Sequence, residues 1–417
     1  MVPLSDLTRT FLRIGLLSFG GPAAQIALMH RTLVDEKGWL SEREYLSALS
    51  FCMLLPGPEA MQLATWSGWR LHGTLGGLIA GLLFVLPGAC VVLALSITYA
   101  AFGEVPLIRA LFVGVQAAVA VIVIEALIRV SKRALKGRAA YVVALLAFLG
   151  LFFLNLPFPL IILAAGAYGY VTARGPVTDL PPAPKAAHTL RTIVIWGAIW
   201  LLPLAALWAF EGGLLTDIGV FFSKLAMLTF GGAYAVLAWM AQAVVDDKGW
   251  LTLPQMIAGL GLAETTPGPL ILVTEFVGYI AAHRQGGMAY GIAGAAVTLW
   301  MTFAPCFLWI FAGAPWIDRI TAAPRLSGAL AAIMAAVVGV IANLSVWFAV
   351  HVLFRNVGWV ELGPLRLLSP DWSSLNPVAL AFGLVSGWLL LHRHWPLAAV
   401  LALAGIGSAA VSLILTL

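Results

Sequence analysis

Four motifs of glycine, proline and phenylalanine interrupt otherwise apolar sequence, and their residue types could bind an anion. The first pair consists of Phe19, Gly20 and Gly21, followed by Pro56, Gly57 and Pro58. The second pair consists of Phe230, Gly231 and Gly232, followed by Pro267, Gly268 and Pro269, each 211 positions further along. We call them the first and second Phe-Gly-Gly breaks and the first and second Pro-Gly-Pro breaks. A broken helix exposes N–H groups at the start of its next half, and these attract anions.

The same motifs could instead serve packing alone. Glycine allows helices to approach closely, and proline kinks them. For one isolated motif this structural interpretation is preferable. Four motifs at matched positions favour a binding site, because glycine also lets a ligand approach the backbone closely.

Two cations and two histidines occupy matched positions in the repeats. Arg13 and Lys224 each lie six residues before a Phe-Gly-Gly break, within apolar sequence. A buried cation in a membrane usually has a function, so both could bind the anion. They could equally extend to the membrane surface, with only their stems in the apolar region. His72 and His283 share the offset of 211, and we expect them to anchor span ends at the interface.

Three glutamates could carry protons within apolar sequence. Glu59 directly follows the first Pro-Gly-Pro break, Glu264 precedes the second, and Glu125 lies in an apolar run. Glu59 could instead favour the helix dipole from the first turn of its half-helix. Pairing with Arg129, four residues on, is the favoured interpretation of Glu125.

The composition of the chain indicates that these residues are carried by membrane helices. The chain is 62% hydrophobic and 10% charged, with a mean hydropathy of +1.00, whereas soluble domains are about 25% charged. Several apolar runs reach the 18 or so residues that a membrane helix needs. The short alternating strands of a membrane β-barrel are not visible. We therefore predict an all-α polytopic membrane protein whose positive charge lies in cytoplasmic loops and does not indicate nucleic-acid binding.

The fixed offset predicts an internal duplication. Its boundaries are a first repeat at 1–174, a proline-rich cytoplasmic linker at 175–190, a connecting transmembrane helix at 191–212 and a second repeat at 213–417. Each repeat has two broken elements and four ordinary spans. Since a single helix separates the repeats, the second enters the membrane from the opposite side. This is an inverted-topology repeat, a common plan of secondary transporters.

The broken elements have short arms. Each arm has about 14 residues, or about 21 Å, which is too short to cross a hydrocarbon core of about 30 Å. Each break therefore lies in the middle of a discontinuous span or at the tip of a re-entrant hairpin, and loop charges weakly favour hairpins. Ser41 and Glu44 predict a capping box before the first Pro-Gly-Pro break, and Thr252 and Gln255 repeat it.

Loop charge predicts the orientation in the membrane. The loop 129–138 contains five basic residues, and the linker is also basic, so both should be cytoplasmic. The loop 211–217 has only acidic charges and should be external. The N-terminus is then cytoplasmic and the C-terminus external.

The doubled Phe-Gly-Gly and Pro-Gly-Pro breaks, with Lys-Gly-Trp-Leu segments at 37–40 and 248–251, resemble the chromate ion transporter (CHR) family in its long, two-domain form. The resemblance implies chromate export across the bacterial inner membrane, driven by the proton gradient and conferring chromate resistance. Sulfate is a tetrahedral dianion of similar size and is also expected to bind. The second repeat departs from the first, with Ala233 in place of Pro22 and Leu270 in place of Glu59.

Other function classes stay open at this stage. A transporter or channel for another small oxyanion or a carboxylate would use the same breaks. An enzyme acting on lipid phosphates is less favoured, because no Ser/His/Asp constellation or HExxH motif is visible. The lack of a phosphate-binding P-loop argues against ATP hydrolysis by this chain. We expect no enzyme activity and no cofactor. We also expect no metal site, since Cys52, Cys90 and Cys306 lack the spacing of metal ligands. The sequence leaves a homodimer open.

Overall fold

The structure is a computed structural model. It describes residues 2–19, 21–103, 105–173, 186–230, 233–317, 319, 323–363 and 365–416. Gly20, Gly231 and Gly232 lie outside the described residues, as does most of the predicted linker at 175–190.

Helices account for most of the described chain. In order they are α1 Leu4–Leu17, α2 Gly21–His30, α3 Glu42–Leu54, α4 Glu59–Phe102, α5 Pro106–Ala134, α6 Arg138–Phe152, α7 Phe158–Thr172, α8 Ala186–Phe210, α9 Leu214–Leu228, α10 Ala233–Gln242, α11 Leu253–Thr265, α12 Val273–Gly313, α13 Pro324–Leu353, α14 Pro377–Gly387 and α15 Leu397–Thr416. Helices α2, α10 and α14 each continue as a π-helical turn, at Arg31–Glu36, Ala243–Asp247 and Trp388–His392.

Six of these elements are long and apolar enough to cross a membrane. They are Glu59–Phe102, Pro106–Ala134, Thr189–Phe210, Leu270–Trp316, Pro324–Leu353 and Leu397–Ile414. Three shorter apolar helices, of 10–17 residues each, are Arg138–Phe152, Phe158–Thr172 and Pro377–His392. The all-α polytopic class is confirmed.

A small β-hairpin, which the sequence analysis did not predict, connects α13 to α14. Strand β1, Val357–Leu362, pairs antiparallel with β2, Leu365–Pro370. Gly363 makes the turn with a φ of +62°. The two strands are six residues each and are not part of a larger sheet among the described residues. Neither sequence alternates regularly between apolar and polar residues, so the usual signal of a strand is missing.

Helix starts follow the predicted local chemistry. The Glu44 N–H donates to Ser41 Oγ at 3.3 Å, and the Ser41 N–H donates to Glu44 Oε2 at 3.1 Å. The second repeat has the same reciprocal pair, since the Thr252 N–H donates to Gln255 Oε1 at 2.9 Å and the Gln255 N–H to Thr252 Oγ1 at 3.4 Å. Both predicted capping boxes are therefore confirmed.

A carboxylate also organises the start of α9. Glu211 accepts hydrogen bonds from the N–H groups of Gly213 and Thr216 and from the hydroxyl of Tyr290. Partial burial opposes ionisation, but the Tyr290 hydroxyl and these other donors outweigh it and lower the pKa of Glu211 to about 2. Glu211 therefore stays ionised at neutral pH and is committed to this cap.

Helices α4 and α12 each bend sharply into two arms. The bend in α4 is at His72 and Gly73, and the bend in α12 is at Gly286 and Gly287, where Gly73 and Gly287 have φ of +58° and +70°. The bends are 214 positions apart, whereas the breaks are 211 apart. The difference is the three-residue 3-10 turn Leu270–Leu272, which has no counterpart after the first Pro-Gly-Pro break. His72 and His283 therefore match in sequence but do not occupy equivalent places.

Small residues let the two arms of each bent helix pack closely. A Cβ atom on Gly68 would overlap the carbonyl oxygen of Gly76, and one on Gly294 would overlap the carbonyl oxygen of Gly278. Backbones approach each other closely only where side chains are this small.

The chain divides into two compact units that interleave along the sequence. The first unit contains Met1–Ile97, Thr172–Val236 and Thr266–Gly328, and the second contains Thr98–Val171, Leu237–Thr265 and Ala329–Leu417. All four breaks belong to the first unit. The predicted repeat boundaries describe a duplication in sequence rather than these units, and they stay a prediction.

Candidate functional site

The Pro-Gly-Pro break of each repeat hydrogen-bonds to the other repeat's Phe-Gly-Gly region. The Gly57 N–H donates to the carbonyl oxygen of Thr229 at 2.7 Å, and the Gly268 N–H donates to that of Ser18 at 2.9 Å. The two bonds are repeat equivalents, because each participant is 211 positions from its counterpart. The structure therefore brings the predicted motifs together in two crosswise pairs.

A tight turn at the end of α1 and of α9 makes these carbonyl groups available to the opposite repeat. Ser18 and Thr229 end α1 and α9 with φ of −78° and ψ of 65° and 78°, and the next N–H in each case bonds two residues back. This is the inverse γ-turn. The hydroxyl of Ser18 donates to Ile14 O at 2.6 Å and that of Thr229 to Leu225 O at 2.7 Å. Each side chain thus binds its own helix, while the backbone carbonyl accepts from the opposite repeat.

Glycine is required at the centre of each Pro-Gly-Pro break. Gly57 has a φ of +124° and Gly268 a φ of +94°, a region that side-chain-bearing residues rarely adopt. A Cβ atom on Gly57 would lie 2.7 Å from Gln62 Nε2 and 2.9 Å from Cys306 Sγ. Conformation and space therefore both exclude a side chain at Gly57. Gly21, with a φ of +78°, opens α2 after the first Phe-Gly-Gly break.

Two buried glutamines, missed in the sequence analysis, bind the breaks. Gln25 is 1% exposed, and its Nε2 donates to Gly268 O at 2.7 Å and Ser18 O at 3.3 Å. Gln62 is fully buried and donates to Pro56 O at 2.7 Å. In both, the buried Oε1 atom has no hydrogen-bond partner among the described residues. The signal in the sequence that could have identified both is a polar side-chain amide in the apolar half-helix that follows a break.

Gln25 makes the two crosswise pairs unequal. It links the Phe-Gly-Gly region of the first repeat to the Pro-Gly-Pro break of the second. The matched position in the second repeat is Val236, a buried apolar residue that cannot form such a bond. The pairing that involves Thr229 therefore lacks this support.

The two predicted cations lie on the surface. Arg13 in α1 and Lys224 in α9 are both exposed, and neither forms an ion pair among the described residues. This placement does not distinguish the two alternatives from sequence, anion binding and extension to the membrane surface. Their roles in binding stay predictions.

The three predicted glutamates differ in their surroundings. Glu59 is half-buried in the first turn of α4, directly after the first Pro-Gly-Pro break. Glu264 is half-buried near the end of α11, in the second unit. Glu125 forms an ion pair with Arg129, as the spacing predicted.

A fourth glutamate was overlooked. Glu275 in α12 is 1% exposed, and its Oε2 has no hydrogen-bond partner in the described part of the chain. It lies in an apolar stretch shortly after the second Pro-Gly-Pro break. The rule that selected Glu125, an ionisable residue within apolar sequence, would have found it.

The described ranges contain no group of three or more His, Cys, Asp or Glu side chains that could hold a metal ion. The polar atoms at the breaks are backbone amides, backbone carbonyls and glutamine amides. The N–H donors among these groups can bind an oxyanion by hydrogen bonds and helix dipoles, whereas the carbonyl oxygens are acceptors and cannot.

Comparison with known proteins gives consistent matches. A family model described as chromate transporter matches residues 5–170 and 216–409, once in each repeat. The chromate transport protein of Pseudomonas aeruginosa is 33% identical over 406 residues, which cover 93% of each chain. A probable chromate transport protein of Synechococcus elongatus is 31% identical and covers 82% of this chain and 83% of its own. The chromate transport protein of Cupriavidus metallidurans is 30% identical, with 81% and 80% covered. No solved structure matches.

Proposed function

The chain belongs to the chromate transporter family, and on that premise we propose that it exports chromate from the cytoplasm across the inner membrane in exchange for protons. The observation that carries the proposal is the crosswise pairing of the four breaks within one compact unit. The similarity to proteins named as transport proteins points to a transporter rather than an enzyme.

The proposed substrate site lies at these breaks. The N–H groups of Gly57 and Gly268 are already used in the crosswise bonds. The anion would therefore be bound by the first-turn N–H groups of the half-helices that begin at Gly21 and Glu59 and after Pro269. One helix end contributes up to about 2 kcal/mol when partly buried. Several ends together would offset part of the dehydration cost of a dianion.

Sulfate is expected to compete with chromate. Both are tetrahedral dianions of similar size. Backbone N–H groups recognise charge and oxygen positions rather than the central atom. The proposed site therefore includes no group that separates the two ions.

We propose that Glu59 and Glu264 carry protons for coupling. Glu59 adjoins a break and is half-buried, so a change in its surroundings would change its charge. Glu125, the third candidate, is the weakest because Arg129 already balances its charge. An antiporter of this kind would load protons on one side and chromate on the other.

A vesicle experiment tests the proposed function. Inverted inner-membrane vesicles that contain the protein should accumulate chromate when their interior is acidic, and collapse of the pH gradient should stop the accumulation. Sulfate added outside should reduce the rate. In Glu59→Gln, chromate transport should no longer depend on pH, while chromate binding should be retained.

Chromate that moves only down its own concentration gradient, without accumulating against it, would indicate a channel. This result would contradict exchange of chromate for protons. Vesicles that take up another oxyanion or a carboxylate but not chromate would contradict the substrate assignment. An unchanged pH profile in Glu59→Gln would leave Glu59 only as a carboxylate at a helix start.

We further propose that the two repeats have inverted topology, with re-entrant breaks and with 129–138 and 174–191 in the cytoplasm. The reciprocity of the two crosswise bonds supports a two-fold relation between the repeats. Loop charge supports the orientation.

Cysteine labelling tests this topology. Lys136→Cys should react with an impermeant thiol reagent only from the cytoplasmic side, and Asp217→Cys only from outside. Asp217 is a better external position than Glu211, the other acidic residue of this loop, because Glu211 is committed to the α9 cap. The exposed Cys90 is first changed to serine to remove background. Labelling of both positions from the same face would contradict the inverted arrangement.

A further inference from the structure

Glu275 is a buried acid with no balancing charge in the part of the chain that the structure describes. Its side chain is 1% exposed within the first unit. No hydrogen bond to its Oε2 and no ion pair is found among the described residues. An unpaired carboxylate in apolar surroundings is very costly, so this arrangement holds the neutral, protonated acid.

A row of proton-exchanging groups leads from Glu275 toward the end of its helix arm. Tyr279 and His283 follow at successive spacings of four residues, which places all three on one face of α12. Tyr279 is 1% exposed, and its ring stacks on that of His283 with centroids 5.5 Å apart. His283 is only half-buried and lies three residues before the bend at Gly286.

The opposite arm of α12 leaves room for this row. A Cβ atom on Gly291 would lie 2.9 Å from Tyr279 Cε2 and 3.1 Å from His283 Cβ. The glycine therefore lets the Tyr279 ring and the Cβ atom of His283 pack closely against the partner arm. Without that space the stacked arrangement would be disrupted.

Charged groups on the neighbouring elements do not balance Glu275. Arg191 in α8, Asp217 and Lys224 in α9 and Arg284 in α12 are exposed. On α4, Arg70 is bonded to Glu44 and His72 to Val2 O. Glu59 is an acid like Glu275, so a negative charge on it would not balance that of Glu275. The weakly acidic groups Tyr290 and Cys306, on the partner arm, bond to Glu211 and to Thr302 O.

We propose that Glu275 is an inner proton-binding site of this transporter, loaded through His283 and Tyr279. A proton binds a ring nitrogen of His283, the phenol of Tyr279 accepts one proton as it gives one up, and the Glu275 carboxylate becomes a carboxylic acid. One proton therefore enters at His283 for each proton that is stored on Glu275. Release requires a conformation that supplies water or a positive partner to Glu275, which ties proton movement to the transport cycle.

This inference rests on the proposed transport function. Its test therefore distinguishes failure of the inference from failure of the proposed function. Purified protein in liposomes is assayed at equal pH on both sides for chromate exchange, meaning chromate inside against chromate outside, and, separately, for proton movement driven by a chromate gradient. Glu275→Gln should keep exchange but reduce proton movement to the level of empty liposomes. Tyr279→Phe and His283→Gln, which keep the volume but remove the exchangeable proton or the titrating ring, should slow proton movement and leave exchange intact.

The matched control is Glu361→Gln, since Glu361 is exposed in β1 and belongs to the second unit. It should behave as the wild type in both assays. Normal proton movement in folded Glu275→Gln would overturn the inference, as would loss of exchange together with proton movement. Absence of chromate exchange in the wild type would instead contradict the proposed function itself.

Discussion

Valine in place of Gly57 is expected to abolish chromate transport while the protein still reaches the membrane. Gly57 has a φ of +124°, and a Cβ atom there would lie 2.7 Å from Gln62 Nε2 and 2.9 Å from Cys306 Sγ. Holding a side-chain-bearing residue in such a conformation costs about 1–3 kcal/mol before any clash. The first Pro-Gly-Pro break must then move, and the crosswise bond to Thr229 O is lost.

The control for backbone strain is Gly137→Val. Gly137 precedes α6 with a φ of +86°, but a Cβ atom there would meet nothing within 4 Å. It shares the strained conformation and lacks the crowding at the break. Both variants are quantified in membranes, tested for monodispersity in detergent and assayed for chromate uptake. Monodisperse Gly57→Val with normal chromate affinity and export would show that the breaks are structural and that the anion binds elsewhere.

Alanine in place of Gly88 is expected to lower the thermal stability of the protein and, with it, transport. Gly88 lies in the second arm of α4, where a Cβ atom would overlap the carbonyl oxygen of Pro267 and lie 2.7 Å from Leu272 Cδ1. Extra volume in a well-packed region typically costs about 1–3 kcal/mol. Because the obstructing atom is backbone of the second Pro-Gly-Pro break, relief requires the break itself to shift.

Gly383→Ala in α14 is the matched control. Gly383 is also a helical glycine in an apolar helix, but a Cβ atom there would meet nothing within 4 Å. Alanine is better than glycine in a helix by about 1 kcal/mol, so this variant should be neutral or slightly stabilised. Thermal unfolding of both, followed by tryptophan fluorescence in one detergent, measures the difference. Equal melting temperatures would mean that α4 does not approach the second break closely.

Local signals in the sequence were sufficient for the class of fold and for the motifs. Apolar runs and scarce charge predicted helices long enough to cross a membrane, and the Ser41 and Thr252 capping boxes formed as expected. Such features depend on residues within one or two turns of each other, so they can be read from a single stretch. The doubled motifs also indicated the family, since they recur at one offset along the chain.

The β-hairpin and the three-residue register shift could not be predicted in the same way. Neither strand of the hairpin alternates regularly between apolar and polar residues, so the local pattern does not indicate a strand. The shift arises because Leu270–Leu272 form a 3-10 turn instead of starting the helix directly. Its consequence, that His72 and His283 are not equivalent, becomes visible only from the bends in α4 and α12.

Which groups meet at the breaks depends on how the helices pack. The sequence predicted four breaks with free N–H groups, but Gly57 and Gly268 use theirs on carbonyl groups of the other repeat. Partners that far apart in the chain leave no local pattern, because the folding of helices into one unit brings them together. For the same reason, sequence could list Gln25 and Glu275 as polar residues in apolar surroundings but could not determine their partners. Packing gave Gln25 two carbonyl groups to bind and left Glu275 Oε2 with none among the described residues.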